Sequence, residues 1–229
     1  MKKLFFILLS LLVTSISFSQ INELGFSVAG SNYIGDVGNT QYINPNDLAI
    51  GGVYKWNYNS RIVYRVDATY IRISADDANA SNSEREQRGY SFKNSVKELA
   101  IGIEYNYYDY SMTREGWSST PYLIVQLAVN NYNVAVRKTG INPSTFETEG
   151  KTNITIPFGI GYKTKIGSNI GIAIETKVRY TFADDLDYNN FDIKPDLSFG
   201  NPDSNDWYVT TGVTIVFGFG RKGCYSGAF

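Results

Sequence analysis

The sequence contains no histidine and only one cysteine, Cys224. Without histidine the commonest acid–base catalyst and metal ligand is missing, and Ser/His/Asp chemistry is excluded. A single cysteine rules out an internal disulfide. Charged residues make up 19% of the 229-residue chain, below the ~25% usual for globular domains. The formal charge of -1 falls to about -3 once Lys2 and Lys3 are set aside. That balance argues against nucleic acid as a partner. One apolar run opens the chain and no other long one follows, which excludes a helical membrane protein. No stretch keeps helical periodicity over a useful span, and no linker or repeat marks a second domain.

The opening run is short. Met1-Lys2-Lys3 precedes apolar residues 4–13 and a small-residue stretch at 15–19. This pattern predicts a secretory signal peptide over 1–19, cut ahead of Gln20. The run is too short to span a bilayer comfortably as an anchor. No Cys lies near the cut, so a lipoprotein is not expected. About 210 residues remain, enough for one all-β domain.

What the chain does have is alternation. Eight segments place apolar residues against small or polar ones with period two, the strand template: residues 23–31, 48–58, 61–71, 98–108, 122–130, 153–163, 170–182 and 207–219. Most reach the roughly 9–11 residues that a tilted membrane strand needs. The aliphatic stripes finish in aromatics. In the second segment Leu48, Ile50, Tyr54, Trp56 and Tyr58 share a face; in the fourth, Leu99, Ile101, Ile103, Tyr105 and Tyr107 do. Aliphatic centres suit acyl chains and amphipathic rings suit headgroups.

The connections are of two kinds. Residues 57–60 and 166–169 are tight turns rich in Asn, Gly and Ser, which suit hairpins. Residues 109–119 form a medium connection, while 34–47, 74–95, 131–152 and 183–206 are long and polar. The prediction is an all-β, eight-stranded antiparallel transmembrane β-barrel over residues 20–220, with short periplasmic turns and long extracellular loops. It would be integral to the outer membrane, in contact with its lipids, with both termini periplasmic. Trp56, Tyr58, Tyr107, Tyr162, Phe217 and Phe219 would form the periplasmic girdle, and Tyr70, Tyr180 and Trp207 the outer one.

A secreted soluble barrel of the lipocalin kind also has eight alternating strands, with its apolar face turned inward. The second face argues for the membrane reading. It mixes Gly, Ala and Ser with charges of both signs, which suits a narrow lumen where ions must be matched. Arg65, Asp67, Glu98, Glu104, Glu175, Lys177 and Arg179 are the predicted interior charge network, with Lys55 and Lys163 on the same face. Eight strands leave no open pore, so a general porin is rejected and the network is read as structural.

Motifs for chemistry are sparse. Asp36 and Asp47 lack calcium-loop spacing, and residues 33–38 lack the context of a phosphate loop. Neither a cofactor nor a metal is expected, and no catalytic residue is assigned. Asp76, Asp77, Asp184, Asp185 and Asp187 read as a solvated loop surface. Residues 221–229 form a tail beyond the last strand, expected in the periplasm. There Cys224 would be an unpaired thiol in an oxidising compartment. Inert tail and partner-bonded thiol are both open on the residues alone.

Several stretches together carry a resemblance: the leader, the Glu23-Leu24-Gly25 start, residues 31–38, the Asn44-Pro45-Asn46-Asp47 turn, Tyr54-Lys55-Trp56, and the ending Phe219-Gly220-Arg221-Lys222-Gly223-Cys224. The chain resembles the PorG-like outer-membrane proteins of the type IX secretion system. The likeness spans nearly all of the chain after the leader and is strongest at its two ends; residues 131–152 add little. It implies a non-enzymatic part of a secretion machine that also supports gliding motility in some bacteria. It further implies two partners, a periplasmic ring lipoprotein and its soluble ring subunit. Arg221, Lys222, Cys224 and Tyr225 would then dock on the ring, with Cys224 in an intermolecular disulfide. The competing expectation is a small barrel that acts through its extracellular loops in adhesion or ligand binding.

Overall fold

The computed structural model describes residues 21–80, 82–113, 116–138, 146–189 and 204–220. Eight antiparallel strands follow one another around a closed barrel: β1 (Asn22–Ile34), β2 (Asp47–Asn57), β3 (Ile62–Asp76), β4 (Ser91–Asn106), β5 (Ser119–Lys138), β6 (Phe146–Ile166), β7 (Ile170–Thr181) and β8 (Trp207–Phe219). Closure is made by β1 against β8, from Asn22 opposite Phe219 to Ile34 opposite Trp207. With no free edge every strand is paired on both sides, as a barrel in a bilayer requires.

The alternation decides which face turns out. On β4, Leu99 and Ile101 are 60% and 63% exposed while Glu98 and Ala100 are 4% and 1%. Leu24, Phe26 and Val28 of β1 and Leu123, Val125, Leu127 and Val129 of β5 are likewise exposed. The barrel therefore wears its aliphatic residues outside and holds its charges within, the reverse of a lipocalin. This is the fold of an eight-stranded transmembrane β-barrel.

Small residues let the lumen close. A Cβ on Gly161 would run into the Tyr122 ring, and one on Gly212 would strike the Val28 carbonyl oxygen and Ala29. These glycines stand where the opposing strand or ring already fills the space.

Strands β5 and β6 run well past the predicted 122–130 and 153–163. They continue as a paired ribbon from Asn131 opposite Thr152 to Lys138 opposite Phe146, with a register shift between Ala135 and Arg137. Above the apolar belt both faces of the ribbon are free of lipid, so alternation lapses while the backbone ladder continues. β3 and β4 also reach beyond 61–71 and 98–108 at that end, pairing from Arg72 opposite Ser95 to Asp76 opposite Ser91. Their connection contains a 3₁₀ turn (Asp77–Asn79) and a six-residue helix, α1 (Ser83–Arg88). The helix is too short to show a period. Its caps are nevertheless in the sequence: Asn82 Oδ1 accepts from the Glu84 amide, and Gly89 ends the helix at φ 64°, a left-handed position suited to glycine.

Candidate functional site

The functional surfaces are the outer belt, the lumen and the long-loop mouth. In the lumen, Glu104 gathers three cations. Lys55 Nζ lies 2.7 Å away, Arg65 Nη1 3.1 Å away, and Lys163 is its third partner. Arg65 forks onto Glu175 at 2.8 Å through both Nη1 and Nη2, and its Nε donates to Asp67 at 3.0 Å. Lys177 Nζ reaches Asp67 at 3.1 Å. Tyr122 and Thr214 hydroxyls donate to Glu175 at 2.9 and 3.2 Å. Beside this group, Arg179 Nε binds Glu98 at 3.1 Å, the Tyr208 hydroxyl donates to Glu98 at 2.8 Å, and Arg179 Nη1 donates to the Lys177 carbonyl at 3.2 Å.

All seven residues of the predicted network are thus buried in the lumen and in contact with one another in two adjoining groups. Lys55 and Lys163 belong to them as well. The network ties β2, β3, β4, β6 and β7 across the barrel. Two aromatic members, Tyr122 and Tyr208, had only their inward parity to mark them. Buried charges are tolerated only when paired and hydrogen-bonded, and each acid here has cationic or hydroxyl partners.

Both ends of the lumen are stoppered. At the short-turn end the medium connection folds inward. Tyr110 and Met112 pack with Ile21, Val53 and Val216, and Lys163 Nζ stands 4.4 Å from the centre of the Tyr110 ring. At the long-loop end Tyr33, Val37, Ile71, Ile73, Phe92, Tyr132, Leu186 and Tyr208 build a larger apolar plug. Among the described residues the lumen is filled and covered at both ends.

The loop acids are where expectation and structure part. Asp77 and Asp187, read from sequence as solvated, are 0% and 1% exposed. The loops pack on one another, and their buried amides need acceptors. Asp77 takes the Gly38 and Tyr90 amides at 2.9 and 3.0 Å and the Arg88 guanidinium at 2.7 Å, fastening the first loop to the second. Burial pushes its carboxyl up, but Arg88 and the two amides outweigh that and hold it below the usual range. Asp187 and Asp206 face each other across the Tyr33 hydroxyl, which contacts Asp187 Oδ2 at 3.1 Å and Asp206 Oδ1 more closely. Burial raises Asp187 to about 6 and, together with the charge of Asp187, lifts Asp206 well above an ordinary aspartate. Asp184, half-buried, is pushed up to about 7 by burial and by Asp36, Asp187 and Asp185. Asp76 is exposed, and Asp185 is partly so, pairing with Lys151. Asp47 accepts from the Ser74 hydroxyl. Among the described residues no group of three metal-ligating side chains comes together.

The predicted girdle residues lie at the two rims. Trp56 stacks on Tyr64 with ring centres 5.3 Å apart, and Tyr58 meets both edge-on; Tyr107, Tyr162, Phe217 and Phe219 are exposed at the same short-turn end. Tyr180 and Trp207 pack together at the other end, 4.9 Å apart, with Tyr70 exposed on β3. Tyr54, Tyr64, Tyr105 and Phe182 are further exposed rings. The leader 1–19 and the tail residues Arg221, Lys222, Cys224 and Tyr225 lie outside the described residues.

Comparison with known proteins agrees with this architecture. Residues 2–228 match the family described as a domain of unknown function, DUF6089, and the chain belongs to that family. No curated protein matches it. Among solved structures, the crystal structure of Neisserial surface protein A is similar over 86% of this chain and 97% of its own, with 11% identity and a TM-score of 0.51. The attachment invasion locus protein Ail of Yersinia pestis is matched over 88% of this chain and 100% of its own, at 12% identity and a TM-score of 0.44. A major outer membrane protein of Thermus thermophilus is matched over 87% and 99%, at 11% identity and 0.46. The likeness to Neisserial surface protein A, at 11% identity, speaks for the fold alone.

Proposed function

We propose that this chain is a non-enzymatic integral protein of the outer membrane that anchors a periplasmic assembly of a type IX protein secretion machine. One observation carries the membrane part: a closed barrel whose outside is aliphatic with aromatic rims, and whose inside is an ion-paired, doubly plugged core. That construction suits a rigid platform. The secretion part is supported by the resemblance at the two ends of the chain. In this reading the short turns and both termini face the periplasm, residues 1–19 are removed as a leader, and Arg221, Lys222, Cys224 and Tyr225 meet the ring lipoprotein and its soluble subunit.

Deleting the gene and measuring cargo at the cell surface tests the role. Loss of surface cargo, with gliding lost where the organism glides, is expected. Normal secretion overturns it and favours the reading in which the long loops act in adhesion or ligand binding, a reading supported by how Asp77 and Arg88 tie the second long loop to the first through the Gly38 amide and the Asp36 carbonyl. Replacing the residues after Gly220 in an otherwise intact barrel isolates the tail. On non-reducing gels of native membranes a heavier band that Cys224→Ser abolishes is expected, and its absence removes the disulfide from the proposal.

A further inference from the structure

The outer wall is not uniform at its long-loop rim. On β3 and β4, just above the exposed Tyr70 and Leu99, three basic side chains are exposed: Arg72, Lys93 and Lys97. The register sets them close together. Lys97 lies across from Tyr70, Arg72 across from Ser95, and Lys93 across from Ser74. Alternation puts all three on the outward face, with Lys93 and Lys97 about 13 Å apart along the strand. None of the three is ion-paired among the described residues. The aliphatic wall continues below them through Leu99, Ile101 and Ile103.

Beside this ledge is a polar hollow of about 290 Å³, lined by Asn32, Gln41, Asn44, Asn46, Ser74 and Asp76 among others. It exists because the first loop folds down over the outside of β1. Asn32, at an outward position of that strand, donates to the Gln41 and Tyr42 carbonyls at 3.2 and 3.3 Å, and Asn46 Nδ2 donates to the Ser74 carbonyl at 3.0 Å. The side-chain amides of Gln41 and Asn44 make no hydrogen bond among the described residues. Asp76 accepts from the Ala78 amide at 2.9 Å. Ser74 joins the two features, since it lines the hollow and lies two residues beyond Arg72 on one strand.

We propose that this face of the barrel binds a phosphorylated glycolipid of the outer leaflet. Phosphate would sit on Arg72, Lys93 and Lys97, sugar hydroxyls on the amides of the hollow, and acyl chains along Tyr70, Leu99 and Ile101. The order of chemistries down the wall, amide then cation then aliphatic, matches the order in such a lipid. Guanidinium and ammonium groups are the natural partners of phosphate, and amides offer the donor and acceptor that paired hydroxyls need. The inference rests on the membrane reading and goes beyond it by naming the lipid class and the wall that takes it.

The test uses the full chain purified from its own membrane in detergent, with bisphosphorylated lipid A as the probe. The variant R72Q/K93Q/K97Q removes the ledge without touching the lumen. A gel mobility that changes on heating, and insertion into vesicles, report the intact barrel independently. The ledge is expected to contribute enough that the triple variant binds lipid A about tenfold more weakly or worse. Dephosphorylated lipid A should bind the native chain as weakly as lipid A binds the triple variant. Equal binding by native chain and variant overturns the proposal. Phosphatidylglycerol bound as tightly as lipid A overturns the sugar contribution, which Asn44→Ala should otherwise weaken for lipid A alone. A chain that fails to enter vesicles at all refutes the membrane reading, an outcome separate from either of these.

Discussion

Glu104 and Asp206 are both buried carboxylates, and the barrel satisfies them in opposite ways. Glu104 sits mid-lumen among Lys55, Arg65 and Lys163. Asp206 sits at the long-loop mouth with Asp187, a tyrosine hydroxyl and the Leu186 amide. Arg88 lies on that side too, but Asp77 holds it at 2.7 and 2.9 Å. A phenol has one hydrogen to give. Both contacts to Tyr33 are therefore hydrogen bonds only when one of the two carboxyls carries a proton. Glu104 is neutralised by cations, whereas the Asp187–Asp206 pair is held together by a shared proton. The second arrangement depends on pH.

The largest expected effect comes from breaking the lumen. Arg65→Ala strips Glu175, Asp67 and Glu104 of their shared partner, and removing one member of a buried ionic group costs roughly 3–5 kcal/mol. Urea unfolding in detergent should show that loss. Adding Glu175→Leu should recover part of it, because fewer unpaired charges then remain. A single variant as stable as the native chain would mean that the network contributes little.

The mouth should respond to pH. An acid whose folded-state value is raised holds its proton more tightly when folded. Its contribution is whole below the ordinary carboxylate value near 4, and is lost as pH rises through about 6 for Asp187, with Asp206 shifted in the same direction. Amide exchange around residues 184–189, corrected for the intrinsic rate, should lose on the order of tenfold in protection between pH 5 and pH 8. Asp206→Asn should flatten that dependence, since the amide cannot ionise. Unchanged exchange across this range would contradict the shared-proton arrangement.

Smaller effects sharpen the contrast between paired and unpaired polar groups. Gln126 is 3% exposed and neither amide atom has a partner. Gln126→Leu should leave stability unchanged or raise it by about 1 kcal/mol, read by the same unfolding curve. A clear loss would point to an ordered water on the amide. Smallest of all is the exposed pair Arg61–Asp109, 2.9 Å apart with both side chains about half in solvent. Arg61→Ala should produce no resolvable change in melting temperature, since water and salt screen such pairs.

The same contrast explains what was legible in the sequence. Inside the belt each residue has one choice, lipid or lumen, and composition records it. β8 therefore falls at 207–219 as read from alternation, and Arg65, Asp67 and Glu104 mark the lumen by parity. Outside the belt the constraint lifts. The ribbon beyond Asn131, the inward fold of Tyr110 and Met112, and the burial of Asp77 and Asp187 depend on loops packing on loops. Such contacts are long in sequence separation and leave no period. Asp187 next to Asp185 looks like solvated charge until Tyr33, 154 residues away, closes on it.

The central claim is that the aliphatic face meets lipid. Spin labels placed one at a time from residue 123 to 129 in vesicle-embedded protein test it most directly. The expected result is a period of two: odd positions open to oxygen dissolved in the bilayer and closed to an aqueous nickel reagent, even positions closed to both. Odd positions quenched from water, in a chain that stays monomeric without detergent, would contradict the account.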